Sequence, residues 1–346
     1  MKSKNKVQIV NWLLTRMCNL HCDYCGIVRY PCFDFQTLTK DRYPDLYHYL
    51  KNGMSYEYVI NCLKQFKEFD KNCFHIFYGG EPFLYRDLKK IIKFCNDNYI
   101  YYTVITNNTE KIRKIMYEDL KYVKYYQGIS SSVDPIIYTD DDKIKKSDRY
   151  AKSIAGLENL KKIKYDGISN DVVAEITIDK YNIDYAYKLV EELSNNGIYS
   201  SITFIDMKKN PYYDFSNVTD DSYIIEPTNE NYVKLQNLID AGFLIHMGEE
   251  LLDRTFNILP HNLDCQLEEY NHNLTIDADG SIRLCLRIKG INSSKYKAID
   301  YFENFDEIHK AMIEDKQKYC QGCCWTCPIM SKLAIEEDMH NEILHK

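Results

Sequence analysis

Apolar runs alternate with longer amphipathic stretches through the first 206 residues. Segments whose apolar positions recur about every 3.6 residues, such as 55–70 and 183–196, predict helices. The second of these is expected to end at Gly197, since glycine is common just past a helix. Repeated strand–helix units are typical of an α/β domain with a parallel sheet. Six strands are predicted, at residues 7–14, 73–78, 101–106, 125–132, 171–178 and 200–205.

The pattern changes after Asp206. Residues 208–222 are polar and predict a surface linker, and a helix is expected over 230–241. Two strand-like runs then flank the sequence Asp-Ala-Asp-Gly at 277–280, which predicts a β-hairpin, and Pro328 is expected in the first turn of a closing helix. We therefore expect three regions, at 1–206, 207–262 and 263–346.

Composition argues against two classes of partner, although it allows a local basic patch. The net charge of −7 argues against a bulk electrostatic grip on nucleic acid or on an anionic membrane. No apolar run approaches the roughly 20 residues of a membrane span, and the N-terminal residues lack a signal-peptide pattern. We expect a cytoplasmic protein with no membrane or nucleic-acid partner.

Thirteen cysteines are unusual in a chain that is not expected to be secreted. Cys62, Cys73 and Cys95 lie in predicted helices and strands, where a buried, unreactive thiol is the expected role. The others form two groups, at 18–32 and 265–327. Grouped thiols in a reducing compartment indicate a metal site before a disulfide.

The first group begins with Cys18, Cys22 and Cys25, a CxxxCxxC motif directly after the first predicted strand. Three thiolates on one loop can bind three irons of a 4Fe-4S cluster, which usually has four cysteine ligands, and leave one iron open. The alternatives are a zinc site completed by His21 or Cys32 and a chance group of buried thiols.

Polar groups also follow the next three predicted strands. The sequence Gly-Gly-Glu-Pro occupies 79–82, and paired glycines at a strand end allow backbone to approach a ligand. Residues 106–108 and 130–134 follow the third and fourth strands, where parallel barrels place their active sites. The alternatives are a simple turn and caps on the following helices.

Together these motifs resemble the radical S-adenosylmethionine (radical SAM) superfamily over roughly the first 205 residues. Tyr24 before the third cysteine and the GGEP sequence at 79–82 are similar to that family's signatures. The resemblance implies a partial (β/α)6 TIM-like barrel and an open iron that S-adenosylmethionine chelates. It also implies reductive cleavage of that cofactor to methionine and a 5′-deoxyadenosyl radical, which abstracts hydrogen from a substrate C–H bond.

The same resemblance assigns the cofactor-binding residues. It places the GGEP backbone and Glu81 at the amino group of S-adenosylmethionine and the later strand-end residues beside its methionine and ribose. Asn108 stands where the family often has glycine. The implied cofactor-binding residues are Tyr24, Gly79, Gly80, Glu81, Thr106, Asn107, Ser132 and Asp134.

The second cysteine group surrounds the predicted hairpin. A CxxC pair with two thiols held by a hairpin can bind a second cluster or zinc. Downstream of a radical SAM core, this pattern resembles the SPASM and Twitch extensions, and six cysteines fit the shorter Twitch form with one auxiliary 4Fe-4S cluster. If the protein ligates all four irons, that cluster would transfer electrons or stabilise the fold. If one iron has no protein ligand, the cluster would bind the substrate. The ligands expected are Cys265, Cys285, Cys320 and Cys323, with Cys327 as a substitute, Cys324 as a weaker one, and a zinc ribbon as the alternative.

A few charged residues are weaker candidates. Arg16 and Arg29 flank the first cysteine group, where they balance cluster charge or pair at the surface. Arg287 and Lys289 follow Cys285 and suit a carboxylate or phosphate, or a solvated strand face. Glu175 and Asp179 lie along the fifth strand, whose inward positions face the barrel interior.

We therefore expect an enzyme that takes electrons from a flavodoxin- or ferredoxin-type donor. One hypothesis is modification of a ribosomal peptide or protein, by a crosslink, a thioether or an oxidation. The other is oxidation or rearrangement of a small metabolite. About seven residues precede the first strand, so a leader-binding domain is expected to be absent, which weakens the peptide hypothesis. GGEP argues against a non-enzymatic iron–sulfur or zinc protein, and the sequence identifies no catalytic side chain.

Overall fold

The computed structural model describes seven stretches of the chain, 9–20, 53–109, 126–166, 172–204, 228–245, 273–285 and 290–320, and the single residues Val7, Cys22, Ile225 and Ile288. The strands in these stretches are β1 Ile9–Thr15, β2 Phe74–Gly79, β3 Tyr101–Thr106, β4 Tyr126–Ser132, β5 Val172–Ile178, β6 Tyr199–Phe204, β7 Asn273–Ile276 and β8 Ile282–Arg283. The helices are α1 Tyr56–Phe69, α2 Leu88–Asp97, α3 Asp148–Tyr165, α4 Ala186–Asn195, α5 Asn229–Asp240 and α6 Phe305–Tyr319.

All the described strands belong to one sheet, in the order β6-β5-β4-β3-β2-β1-β7-β8. The six strands predicted from the apolar runs are all present, and β1 to β6 pair with their sequence neighbours in parallel. Parallel neighbours need a crossover between them, which is why strand–helix repeats in the sequence predict this topology. The α/β class is confirmed.

The predicted hairpin forms and extends the same sheet. Strand β7 lies parallel to β1, with Ile9 opposite Asn273 and Trp12 opposite Ile276, and β8 returns antiparallel to β7. The sequence pattern predicts that this hairpin belongs to a separate C-terminal region. The predicted region boundaries at 206 and 262 lie outside the described residues, so that division stays a prediction.

Helix ends follow local sequence signals. Ser55, Ser147 and Thr228 each accept a hydrogen bond from a backbone N–H in the first turn of α1, α3 and α5. Gly197, just past α4, has a φ of +68°, as expected for a helix stop. Helix α6 was not predicted, and the closing helix expected after Pro328 lies outside the described residues. None of the helices in the described ranges has the length and apolar character that a membrane crossing requires.

The helices pack on one face of the sheet, which we call the outer face. On β5, Val172, Ala174, Ile176 and Ile178 are buried in a cluster with residues of α3, α4 and α5. The alternate positions of β5 are only partly buried and point to the opposite, inner face. Register partners on parallel strands share a face. On the inner face these registers place Asn11, Leu13, Ile76, Tyr78, Thr103 and Ile105 of β1 to β3 and Ser130, Ser132, Val173, Glu175, Thr177, Ser201 and Thr203 of β4 to β6.

Phe66 of α1 joins the sheet to the segment that contains Tyr301 and Phe302. Its ring contacts Trp12 and His75 on one side, at centroid distances of 6.2 and 5.8 Å, and Tyr301 and Phe302 on the other, at 5.8 and 5.2 Å. Trp12 Nε1 donates to His75 Nδ1 over 3.0 Å. Burial lowers the pKa of His75 to about 3, so the imidazole is a neutral part of this core.

We expect Phe66→Ala to lower the free energy of unfolding by about 3–5 kcal/mol, because the substitution leaves a cavity between the sheet and the segment after Tyr301. Asn61→Ala is the control on the same helix, since Asn61 is exposed, and it should cost less than about 1 kcal/mol. Urea unfolding followed by circular dichroism measures both. Equal costs would show that Phe66 does not join the two parts.

Candidate functional site

The predicted cofactor-binding motifs meet at the carboxyl ends of β1, β2 and β3. The cysteine loop follows β1, residues 79–82 follow β2, and residues 106–109 follow β3. Cys18 is 7% exposed and Cys22 is partly exposed. Tyr24 and Cys25 lie outside the described residues, so their predicted roles stay predictions.

The paired glycines let the turn after β2 dock onto the cysteine loop. Gly80 N donates to Thr15 O over 2.8 Å, and Glu81 N donates to Met17 O over 2.6 Å. A Cβ on Gly79 would lie 2.3 Å from Thr15 O, and one on Gly80 would lie 2.1 Å from Met17 O. The sequence suggested a close approach of this backbone to a ligand. The structure adds a close approach to the chain's own backbone, which only glycine permits.

Glu81 connects this turn to the end of β3. Its side chain is fully buried and accepts hydrogen bonds from Phe83 N at 3.0 Å, Thr106 Oγ1 at 2.9 Å and Asn107 N at 2.8 Å. Burial raises the pKa of Glu81 to about 7, although these hydrogen bonds favour the ionised form. Glu81, Thr106 and Asn107 therefore form one unit, and their predicted contact with S-adenosylmethionine stays a prediction.

Asn107 extends this unit to the first cysteine. Its Nδ2 donates to Cys18 Sγ over 3.5 Å and to Asn19 Oδ1 over 2.8 Å, and Leu20 N donates to the same sulfur over 3.4 Å. Two N–H groups directed at one sulfur suit a thiolate that binds iron, because such donors stabilise its negative charge and tune the cluster. The described part of the loop therefore fits the predicted cluster.

Asn108 stands where the family that the sequence resembles often has glycine, and its backbone conformation explains why asparagine is tolerated there. Asn108 has a φ of +54°, in the left-handed region that glycine adopts easily and asparagine tolerates best among other residues. Asn159 of α3 donates to both the backbone and side-chain oxygens of Asn108. Asparagine can therefore adopt the backbone conformation at the position where the family that the sequence resembles often has glycine.

The residues after β4 have different surroundings. Ser132 lies on the inner face, whereas Asp134 is fully buried and is bound by Arg149 Nε at 2.8 Å, Lys152 Nζ at 3.1 Å and Thr177 N at 2.9 Å. Burial alone would raise the pKa of Asp134, but the two cations lower it to about 2. Asp134 thus holds β4 to β5 and α3, and its contact with a cofactor stays a prediction.

Arg149 carries no sequence signal that marks it as a site residue. Besides Asp134 it binds Asp179, and its Nη2 donates to Thr177 O over 3.0 Å. Asp179 is therefore paired with a cation at the end of β5, while Glu175 points to the inner face. No spacing rule connects residues 134, 149 and 179, so only the tertiary structure identifies this cluster.

Arg16 pairs inside the protein, and its partner belongs to the hairpin. Arg16 Nη2 lies 3.0 Å from Asp277 Oδ2, and Arg283 Nη1 lies 2.8 Å from the same oxygen. Burial of Asp277 would raise its pKa, but the two guanidinium groups hold it well below its ordinary value. Arg29, Arg287 and Lys289 lie outside the described residues.

Two predicted ligands of the second group are described. Cys285 directly follows Leu284 after β8, Cys320 caps the end of α6, and both are partly buried against the outer-face core. Ile288 N donates to Cys285 Sγ over 3.3 Å, the same kind of contact that Cys18 receives. The other predicted ligands and substitutes, Cys265, Cys323, Cys324 and Cys327, lie outside the described residues.

Asp315 of α6 holds the segment that follows Cys285. It is fully buried and accepts from Asn292 N at 3.0 Å and from Ser293 N and Oγ at 2.8 Å each. Gly290, with a φ of +79°, lets the loop pass this carboxylate, since a Cβ there would lie 2.4 Å from Asp315 Oδ2. The loop after one predicted ligand is therefore tied to the helix that ends at another.

The three scattered cysteines are buried. Cys62, Cys73 and Cys95 are each at most 3% exposed, and burial raises the pKa of each thiol. A neutral buried thiol is unreactive, which agrees with the core role expected for these residues.

Glu81 should make stability depend on pH. Its folded-state pKa of about 7 exceeds the ordinary 4.5, so the unfolded chain ionises first as pH rises. The free energy of unfolding of metal-free protein should therefore fall by about 3 kcal/mol between pH 4.5 and 7. Glu81→Gln should remove this contribution, while Glu57→Gln, at an exposed position, should keep it. Urea unfolding across this pH range measures the difference, and parallel profiles for wild type and Glu81→Gln would contradict it.

Solved structures resemble this fold. The crystal structure of Streptococcus suis SuiB has a TM-score of 0.58 at 16% identity, with 86% of this chain and 64% of that chain covered. The structure of SuiB bound to S-adenosylmethionine has a TM-score of 0.58 at 16% identity, with 89% of this chain and 68% of that chain covered. The structure of SuiB bound to precursor peptide SuiA has a TM-score of 0.59 at 15% identity, with 92% of this chain and 70% of that chain covered. This chain thus spans about two thirds of the length of those chains.

Among curated proteins, none matches this sequence. A family model does. The model described as the radical SAM superfamily matches residues 12–193, more than half of the chain, and the match includes the cysteine loop, the turn after β2 and the strand ends up to β5. Membership implies a 4Fe-4S cluster and S-adenosylmethionine as cofactors. This chain is a member of the radical SAM superfamily, whose members are enzymes.

Proposed function

We propose that this enzyme modifies a ribosomal peptide or protein, by a crosslink, a thioether or an oxidation. The observation that carries the proposal is the fold similarity, over 92% of this chain, to a SuiB structure that is bound to a precursor peptide. The small-metabolite alternative predicted from the sequence is retained as an outcome of the test below.

In this proposal Cys18, Cys22 and Cys25 hold the cluster, and residues 79–81 with Thr106 and Asn107 fix the shape of the loop. When bound, the cluster and S-adenosylmethionine supply a 5′-deoxyadenosyl radical that takes hydrogen from a substrate C–H bond. Asn107 and the backbone of Leu20 stabilise the Cys18 thiolate. A flavodoxin- or ferredoxin-type protein would supply the electron.

The second part of the proposal is an auxiliary 4Fe-4S cluster of the Twitch type, held by Cys265, Cys285, Cys320 and Cys323. The N–H that reaches Cys285 Sγ and the Asp315 contacts of the following loop support this assignment, since both favour a fixed thiolate.

The inner face of β4 to β6 is the proposed substrate side. Its side chains are mainly hydroxyls around one carboxylate, Glu175, whereas the inner face of β1 to β3 carries more apolar side chains besides Asn11 and Thr103. Glu175 accepts hydrogen bonds from Ser130 and Ser201, and burial raises its pKa. We propose that Glu175 binds a hydrogen-bond donor of the substrate and accepts the proton that leaves when the substrate is oxidised.

Anaerobic reconstitution with iron and sulfide tests the cofactor part. We expect about eight irons per chain, and deoxyadenosine from S-adenosylmethionine after reduction with dithionite. Cys18→Ala should abolish deoxyadenosine, and Cys95→Ala, at a buried core position, should retain it. Zinc in place of iron, or no deoxyadenosine, would overturn the enzyme assignment.

The substrate part is tested with the short peptides encoded beside this chain's gene. Incubation with the reduced enzyme should remove two hydrogen atoms from one peptide, detected by mass spectrometry, as a crosslink, thioether or oxidation requires. If deoxyadenosine forms but every peptide is unchanged, the small-metabolite alternative replaces the peptide proposal.

Glu175→Gln should leave deoxyadenosine formation unchanged and lower peptide modification at least about tenfold, because the amide cannot accept a proton. Since the pKa of Glu175 is raised, wild-type modification should increase with pH over the range in which this carboxyl ionises, and the variant should lose that dependence. Glu191→Gln, at an exposed position of α4, is the matched control. Equal modification rates for Glu175→Gln and wild type would exclude Glu175 as the proton acceptor.

A further inference from the structure

Asp277 lies where the hairpin meets the cysteine loop. It directly follows β7 and is fully buried. Arg16 Nη2 binds both of its carboxylate oxygens, at 3.0 and 3.2 Å, and Arg283 Nη1 binds Oδ2 at 2.8 Å. Arg283 Nε donates in addition to the backbone oxygen of Cys285, over 3.2 Å. One carboxylate therefore connects the segment before Cys18 to the peptide group of Cys285.

Both arginines stand two positions before a cysteine. Arg16 precedes Cys18, which belongs to the family's cluster motif, and Arg283 precedes Cys285, which the proposed function assigns to the auxiliary cluster. The peptide that follows Arg16 is also where the turn after β2 docks, since Met17 O accepts from Glu81 N. The loop before Cys18 is thus bound by β2 on one side and by the hairpin on the other.

The chemistry of the contact favours control of geometry over stability. Burying two ions costs desolvation free energy, and the attraction between them often does no more than offset that cost. A buried ion pair is therefore weak evidence for added stability. A carboxylate between two planar guanidinium groups, however, fixes the orientation of both, because each guanidinium donates through N–H groups in a rigid plane.

We infer that Asp277 is a positioning residue that couples the two cysteine sites, through Arg16 to the Cys18 loop and through Arg283 to Cys285. The link from Asp277 to the Cys18 loop depends only on the chain's membership of the family. The link from Asp277 to Cys285 depends on the auxiliary cluster of the proposed function. A purely structural role, in which Asp277 only attaches the hairpin to the sheet, is the competing explanation.

The test compares Asp277→Asn with Asp279→Asn in the full-length reconstituted protein. Asp279 is the matched control because it lies in the same turn and binds Ser281 N and Oγ. The readouts are the electron paramagnetic resonance spectrum of each reduced cluster and a redox titration of each. Urea unfolding of the same samples measures stability separately.

Asp277→Asn leaves the charges of Arg16 and Arg283 without their carboxylate partner beside the Cys18 loop, so reduction of that cluster should become easier. At a fixed potential, its ratio of reduced to oxidised cluster should rise about threefold or more. The spectrum of the second cluster should change as well, and Asp279→Asn should change neither. Lower stability with both spectra and both titrations unchanged would overturn the inference in favour of the structural role.

A change at the Cys18 cluster with an unaltered second cluster would overturn the coupling between the sites. If reconstitution gives only about four irons per chain, the proposed auxiliary cluster is wrong, and the redox titration of the Cys18 cluster alone then decides whether Asp277 positions that loop.

If Asp277→Asn does not fold, Arg283→Lys is the second variant, because it keeps the charge but loses the Nε–H group that donates to Cys285 O. It should change the second cluster's spectrum, and an unchanged spectrum would overturn the inference.

Discussion

The described part of the site depends on the contact between two turns of backbone, the one that follows β1 and the one that follows β2. Gly80 N and Glu81 N donate to the carbonyl groups of Thr15 and Met17, and neither glycine leaves room for a side chain at that distance. The buried carboxylate of Glu81 then carries the connection to β3, where Asn107 reaches the sulfur of Cys18. The loop that carries Cys18, a proposed metal ligand, is thus fixed by hydrogen bonds to neighbouring strands, as a preorganised site requires.

The sequence predicted the strands well because each is a short apolar run bounded by polar residues, and parallel pairing of neighbours follows from the helices between them. The cysteine spacing and GGEP are local patterns, so the sequence also located the candidate motifs at strand ends, and the structure brings those after β1, β2 and β3 together. The hairpin's own turn was predictable from Asp-Ala-Asp-Gly. Its place beside β1 was not, because the pairing of Ile9 with Asn273 depends on contacts that no local pattern records.

The polar residues that hold the site together were the hardest to predict. Asp277 was interpreted only as a turn residue, and Arg149, Arg283 and Asp315 were not singled out at all. Each acts through a partner far along the chain, such as Asp134 for Arg149 or Asn292 for Asp315. Asn108 is the opposite case, because its φ of +54° explains from one residue alone why the family's glycine can be replaced here.

The position of β7 beside β1 has a consequence for the order of folding. Asn11 and Asn273, whose side chains bond across these strands, are separated by 262 positions in the sequence. During synthesis, β1 and its cysteine loop leave the ribosome long before the strand that completes their surroundings. Contacts between such distant segments form late, because a long loop must close before they contribute any stability. We therefore expect the loop that carries Cys18 to reach its final conformation only after the hairpin is made, which would delay stable iron insertion until strands β7 and β8 have been translated.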